Sequence, residues 1–175
     1  MKAQTPDSRT MVTDDDVVAL ARTAFQHARA GETAHLKWLL ERGLPANLSN
    51  EKGDTLLMLA SYLGQEDATR LLLKHGADPE RLNDRGQTPL AGAAFKGNVA
   101  IARLLLDHGA RVDGAGPDGK TALMFAAMFD RLEMLELLLS RGAVPEQKDA
   151  DGRMALDYAR GMGARGTTAR LAELG

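Results

Sequence analysis

The sequence predicts an all-α solenoid: about five helix-turn-helix units laid side by side. Three observations carry this. First, residues recur at a spacing of 33. Gly53, Gly86, Gly119 and Gly152 form one row, and Gly43, Gly76, Gly109, Gly142 and Gly175 a second. Leu39, Leu72, Leu105, Leu138 and Leu171 form a third; Gly31, Gly64 and Gly97 form a fourth that continues through Asp130 to Gly163. Second, each unit reads as a turn, a short apolar helix, a break and a second helix. Third, the chain is 44% hydrophobic but only 4% aromatic, so Leu, Ala and Met must supply most of the core.

The units are expected at about 13–49, 50–82, 83–115, 116–148 and 149–175, after a mobile tail of residues 1–12. Unit one has no tight turn before its first helix: Leu20 and Arg22 stand at the Gly and Thr positions of the row. That helix opens with Thr13-x-x-Asp16, close to a capping box, and Asp14 to Asp16 suit the positive end of the helix dipole. Units two to four share one grammar, seen in Asn83 to Gly116. Asp84-Arg85-Gly86-Gln87 is a turn in which glycine supplies a positive φ. Thr88 suits the N-cap and Pro89 the first helical position, where no donor is missed. Leu90 to Phe95 form the first helix, and Lys96-Gly97-Asn98 breaks it. Val99 to His108 form the second, with Ile101, Leu104 and Leu105 on one face, and Gly109 closes it in the left-handed conformation. Unit five ends in the Gly-rich run GMGARG and a weak helix, TTARLAEL, where Ala172 stands in place of a leucine. Atypical first and last units are what a linear stack needs as caps.

The unit DRGQTPLAGAAFKGN followed by LLLDHGA resembles the ankyrin repeat. So do EKGDTLLMLASYLGQ with LLLKHGAD, and PDGKTALMFAA with LLLSRGA. The resemblance covers about Val17 to Gly175. It implies helix pairs stacked flank to flank, with β-turn fingers projecting from one edge to give an L-shaped section. It further implies a non-catalytic protein-binding module that meets a folded partner through its concave groove and fingertips. The family's T-P-L-H reads T-P-L-A at Thr88–Ala91, T-L-L-M at Thr55–Met58, T-A-L-M at Thr121–Met124 and M-A-L-D at Met154–Asp157. The histidine that usually ties repeats together is absent, and Met58 and Met124 are expected to fill its space by packing. Asp130 replaces glycine in an inter-helix turn, which Asp tolerates better than most residues.

Net charge is −2, all of it from residues 1–16. No basic excess suggests nucleic acid. The absence of cysteine excludes disulfides, thiol nucleophiles and Cys-ligated zinc. No apolar run spans a membrane and the N-terminus carries no apolar signal core, so a cytoplasmic protein is expected, monomeric when free. One stretch argues otherwise. Gly114 to Thr121, GAGPDGKT, fits the phosphate-binding pattern G-x-x-x-x-G-K-[ST], which would make a nucleotide-binding enzyme. In register, however, Gly119 lies on the turn row, Thr121 on the capping row and Lys120 in a variable surface slot. Residues before Gly114 read as a helix end rather than a strand, and Pro117 removes a cradle N–H. Gly161 to Gly166 fits G-x-G-x-x-G and follows a helix likewise. No catalytic signature is present, and no cofactor is expected.

The histidines suggest no metal site. His75 and His108 share a slot near helix C-termini in adjacent units, too far apart for one ion. His27 and His35 lie across a helix break and match no ligand spacing. Trp38, on the row of Leu71, Leu104 and Leu137, reads as core or as a lid on unit one. Phe125, on the row of Leu59 and Tyr158, reads as core.

Tyr62, Phe95 and Met128 occupy a row that is usually polar and faces the groove in the family. With Leu63, Lys96 and Phe129 on the next row they predict an apolar stripe crossing three units, with Tyr62, Phe95 and Phe129 as anchors. Fingertip residues Lys52, Asp54, Arg85, Gln87 and Lys120 are expected as a polar rim that sets partner choice. A stripe that pairs with itself would instead give a self-associating structural protein.

Overall fold

The computed structural model describes residues 14–174; the expected tail of 1–12, the Thr13 cap and Gly175 lie outside them. Ten helices follow in order: α1 (Asp14–Ala30), α2 (Thr33–Glu41), α3 (Leu56–Tyr62), α4 (Glu66–Lys74), α5 (Pro89–Lys96), α6 (Val99–Asp107), α7 (Ala122–Met128), α8 (Leu132–Ser140), α9 (Ala155–Met162) and α10 (Arg165–Ala172). No strand occurs among the described residues; an isolated antiparallel bridge joins Ser49 to Thr55 across the first finger. The odd-numbered helices stack in one layer and the even-numbered helices in the other.

Among the described residues the expected caps and turns of the central repeats are in place. Thr55, Thr88 and Thr121 cap α3, α5 and α7, their hydroxyls accepting from Met58, Ala91 and Met124 N–H. Pro89 begins α5. The three glycine rows hold positive φ wherever they are described, between 68° at Gly163 and 95° at Gly109. Ala60, Ala93, Ala126 and Ala159 are fully buried and let the first-helix layer approach closely, while Leu72, Leu105 and Leu138 fill the space between layers. Each such leucine contributes about 1.5–3 kcal/mol of burial. Met58 and Met124 are buried, filling the space expected of them. In the last repeat Asp157 accepts from Met154 N–H at 2.9 Å, a cap that Met154 cannot supply itself. The run GMGARG is not a loop. Gly161 and Met162 complete α9, α10 starts at Arg165, and only Gly163 and Ala164 make the turn.

The inter-helix turns explain why Asp130 stands in a glycine row. A Cβ at Gly31 would meet the Gln65 side chain, and one at Gly97 would meet Arg131 Cδ at 2.9 Å, so the following repeat covers these glycines. After Asp130 the equivalent residue is the short Ala164, which leaves room. Asp130 keeps the left-handed conformation, φ 52°, and uses the room. Its Oδ1 accepts from Thr167 N–H at 2.8 Å, capping α10 from the preceding repeat, while Thr167 Oγ1 donates to Ala127 O at 2.8 Å. The Thr167 amide is the main cause that holds the Asp130 carboxyl below its ordinary 3.8. Asp130→Ala should therefore lose about 2 kcal/mol, combining a lost cap with left-handed strain. Because the folded value is depressed, the carboxylate stabilises the fold above pH 3.8 and ceases to as pH falls through the folded value. Denaturant titrations should show the full gap between wild type and variant at neutral pH and a narrowing gap in acid.

The fingers interlock by a row that periodicity in Gly and Leu does not reveal: Asn50, Asn83, Gly116 and Asp149. Asn50, Asn83 and Asp149 each accept two backbone N–H groups of their own finger through Oδ1. Backbone bonds also link neighbouring fingers, from Asp84 N–H to Lys52 O and from Ala150 N–H to Asp118 O. The position equivalent to Asp84 and Ala150 is Pro117, which has no N–H to give. There the fingers instead close on each other, and a Cβ at Gly116 would lie 1.9 Å from Gly86 O.

Candidate functional site

The predicted stripe gathers at the C-terminal ends of α3, α5 and α7. Tyr62 ends α3 with 41% of its surface exposed and Leu63, just beyond it, has 49%. Phe95 is half-buried on α5, its ring 6.3 Å from Tyr62 and nearly parallel to it. Phe129 meets Phe95 edge-on at 4.7 Å. Lys96 lies with Nζ 4.9 Å from the Tyr62 ring centre. Met128 is half-buried and packs on the core. The three rings thus form one continuous aromatic ladder across three repeats. Aromatic pairs in these geometries add about 0.5–1.5 kcal/mol each beyond burial. The ladder therefore stiffens the groove as well as presenting it, and Phe95 at its centre belongs partly to the fold.

Between the ladder and the fingers lies a cavity of about 370 Å³, walled by Leu59, Tyr62, Phe95 and Phe125 with Arg85 at the finger side. Its cause is Gly92. The row Leu59, Gly92, Phe125, Tyr158 is large and apolar except at Gly92, in the middle of α5, and the Tyr62 ring lies 3.4 Å from where a Gly92 Cβ would be. A helix-interior glycine costs about 1 kcal/mol relative to alanine, and here it opens the notch. The sequence signal was available: one glycine in an otherwise bulky row. Phe125, expected as core, is half-buried as a wall of this cavity.

The fingertip residues divide. Lys52 and Arg85 are exposed. Lys120 is bound to Asp118, its Nζ 3.0 Å from Oδ2, and that hydrogen bond is the first cause raising its pKa. Gln87 is half-buried and accepts from Asn83 Nδ2 at 3.3 Å. Asp54 corrects the expectation of an exposed rim. It is only 8% exposed and accepts from Asn83 Nδ2 at 2.9 Å, tying the first two fingers together from the cavity floor. A linear reading put Asp54 in a surface slot; the next finger covers it.

Gly114–Thr121 lies in a finger turn, as its register in the repeat implies. No strand precedes Gly114; α6 does, and Thr121 spends its hydroxyl on capping α7. The histidines divide as well. His75 and His108 terminate α4 and α6 as expected, and His108 Nδ1 lies 2.8 Å from Leu104 O. His27 and His35, expected to be unrelated, stack at 4.8 Å with Glu32 beside them. Trp38 is 49% exposed, acting as a lid with the Arg42 guanidinium 3.9 Å over its ring. Among the described residues no hairpin lies on that flank to bury it.

Comparison with known proteins agrees with this architecture. The family model for ankyrin repeats, in three copies, matches residues 10–83 and 76–149. A Pseudomonas aeruginosa protein described as an ankyrin repeat protein is 57% identical over 47 residues. That match covers 27% of this chain and 28% of the relative, so the chain spans little more than a quarter of the relative's length in the match. With the stacked hairpins, the fingers and a family match over most of its length, the chain belongs to the ankyrin-repeat family.

Proposed function

We propose that this chain is a non-catalytic binding module, a single domain from about residue 13 onward. It docks a folded protein into its concave groove, with Lys52 and Arg85 on the rim, and acts in the cytoplasm as an adaptor or accessory factor. Ankyrin repeats are generally protein-interaction modules and not enzymes. The observation that carries the reading is the half-exposed aromatic ladder Tyr62–Phe95–Phe129 beside a preformed notch. Apolar rings left at a surface beside a concavity are the usual anchors of an interface core. A standard interface needs about 800 Å² from each partner, and the three central repeats offer a continuous face for it. No helix among the described residues is long and apolar enough to cross a membrane.

Tyr62 is the cleanest probe, because it is more exposed than Phe95. Tyr62→Ala should weaken partner binding by more than about 1 kcal/mol and, by removing one ring pair of the ladder, lower the melting temperature by only about 2–4 °C. The measurement is affinity capture from the native cell with wild type and Tyr62→Ala side by side, followed by calorimetry on the captured partner. Equal capture by both would overturn the groove as the binding face. Concentration-dependent light scattering of the purified chain, abolished by Tyr62→Ala, would point instead to self-association.

A further inference from the structure

We propose that His27, Glu32 and His35 form a site for a borderline divalent cation of the Zn²⁺ type, which clamps the first helical hairpin. His27 lies in the last turn of α1, Glu32 directly precedes α2, and His35 lies in its first turn. The left-handed Gly31, φ 72°, reverses the chain between them, and Glu32 N–H donates to His27 O at 3.0 Å. This reversal brings residues eight apart in sequence face to face. The imidazoles are nearly parallel, 11° between planes, with centroids 4.8 Å apart. His27 Nδ1 is 2.5 Å from Glu32 Oε2. One ligating atom from each of the three side chains lies within 4.8 Å of the other two.

The chemistry of the donor set selects the ion. Two imidazole nitrogens and one carboxylate oxygen suit Zn²⁺ and its neighbours, whereas Mg²⁺ and Ca²⁺ prefer all-oxygen shells. With ligands at about 2.0–2.1 Å, tetrahedral geometry places donors about 3.3 Å apart. The three side chains therefore need only modest adjustment: His27 Nδ1 and Glu32 Oε2, now 2.5 Å apart, part slightly to admit the ion, and the wider separations, up to 4.8 Å, close. His27 is largely enclosed and fixed, while Glu32 and His35 are exposed and free to rotate inward. Water completes the fourth position. The location gives the clamp a purpose. Among the described residues the first hairpin packs on one neighbouring hairpin only, so it has fewer stabilising neighbours than the central repeats. A ligand bound only by the folded state adds stability by mass action.

The test uses the full chain freed of any affinity tag. Titration with ZnCl₂ by calorimetry should give one ion per chain, with MgCl₂ giving no comparable binding. Co²⁺ should produce visible d–d absorption that Zn²⁺ displaces. His35→Ala should weaken Zn²⁺ binding at least about tenfold and remove the rise in thermal midpoint that Zn²⁺ causes in the wild type. His27→Ala should do the same where it folds. Because His35 is exposed, its variant should keep the wild-type circular dichroism and so remains informative. His75→Ala and His108→Ala should bind as wild type does. Absence of saturable Zn²⁺ uptake, or equal affinity in wild type, His35→Ala and Glu32→Gln, would overturn the site.

Discussion

Gly116→Ala should lower the stability of the chain by about 2–3 kcal/mol, although it adds only one methyl group in a turn. The added carbon would lie 1.9 Å from Gly86 O, so one finger must move away from the other. Backbone, unlike a side-chain tip, cannot rotate aside. Elsewhere along the edge a backbone hydrogen bond joins neighbouring fingers, but at this junction Pro117 has no N–H to provide one. At the finger edge, the junction between the third and fourth hairpins therefore depends on close approach, with α5 packed on α7 and α6 on α8 behind it. In a linear stack, a weakened interface separates the units on either side. The single tryptophan, Trp38, reports only the first hairpin, while far-ultraviolet circular dichroism reports all ten helices. In the variant the dichroism transition should fall to lower denaturant and part from the Trp38 transition. Gly161→Ala is the matched control: it lies inside α9 with open space around it, and should stabilise by about 0.5–1 kcal/mol. Coincident, unshifted transitions in Gly116→Ala would show that the fingers are not held by this contact.

Gly92→Leu should reduce partner affinity by about thirtyfold or more, the loss of about 2 kcal/mol expected when a hot-spot pocket is closed. Stability should not fall. The backbone at Gly92 is ordinary helix, a Cβ there meets Tyr62 Cδ2 at 3.4 Å, and Leu59 and Phe125 already hold large side chains on the same row. Leucine also removes the helix-interior glycine penalty. A variant that melts at or above the wild-type temperature yet no longer captures the partner would separate recognition from folding. Retained binding would place the partner elsewhere on the surface.

Acid should act on the last two repeats first. Tyr158 O–H donates to Asp149 Oδ2, and this bond is the leading cause that holds the Asp149 carboxyl below 3.8, as Thr167 does for Asp130. Both folded values are depressed, so both contributions persist above 3.8 and are lost as pH falls through the folded values.

The repeat, its helices and its turns were legible in the residues themselves. A 33-residue period fixes which positions are equivalent, and Thr, Pro and Gly act on the backbone within a few residues of where they stand. That is why the caps at Thr88 and Thr121 and the left-handed turn at Asp130 follow from the letters. What tertiary structure alone decided concerns the neighbouring unit. Asp54 is buried because the next finger covers it, and Trp38 is exposed because no hairpin among the described residues covers it. Asp130 caps a helix 37 residues away because Ala164 is too short to fill the gap. His27 and His35 meet because Gly31 turns the chain back on itself. Equivalence by translation predicts a fold. Burial, pairing and ligand geometry depend on which side chain the adjacent unit presents, and a single row of letters does not carry that distance.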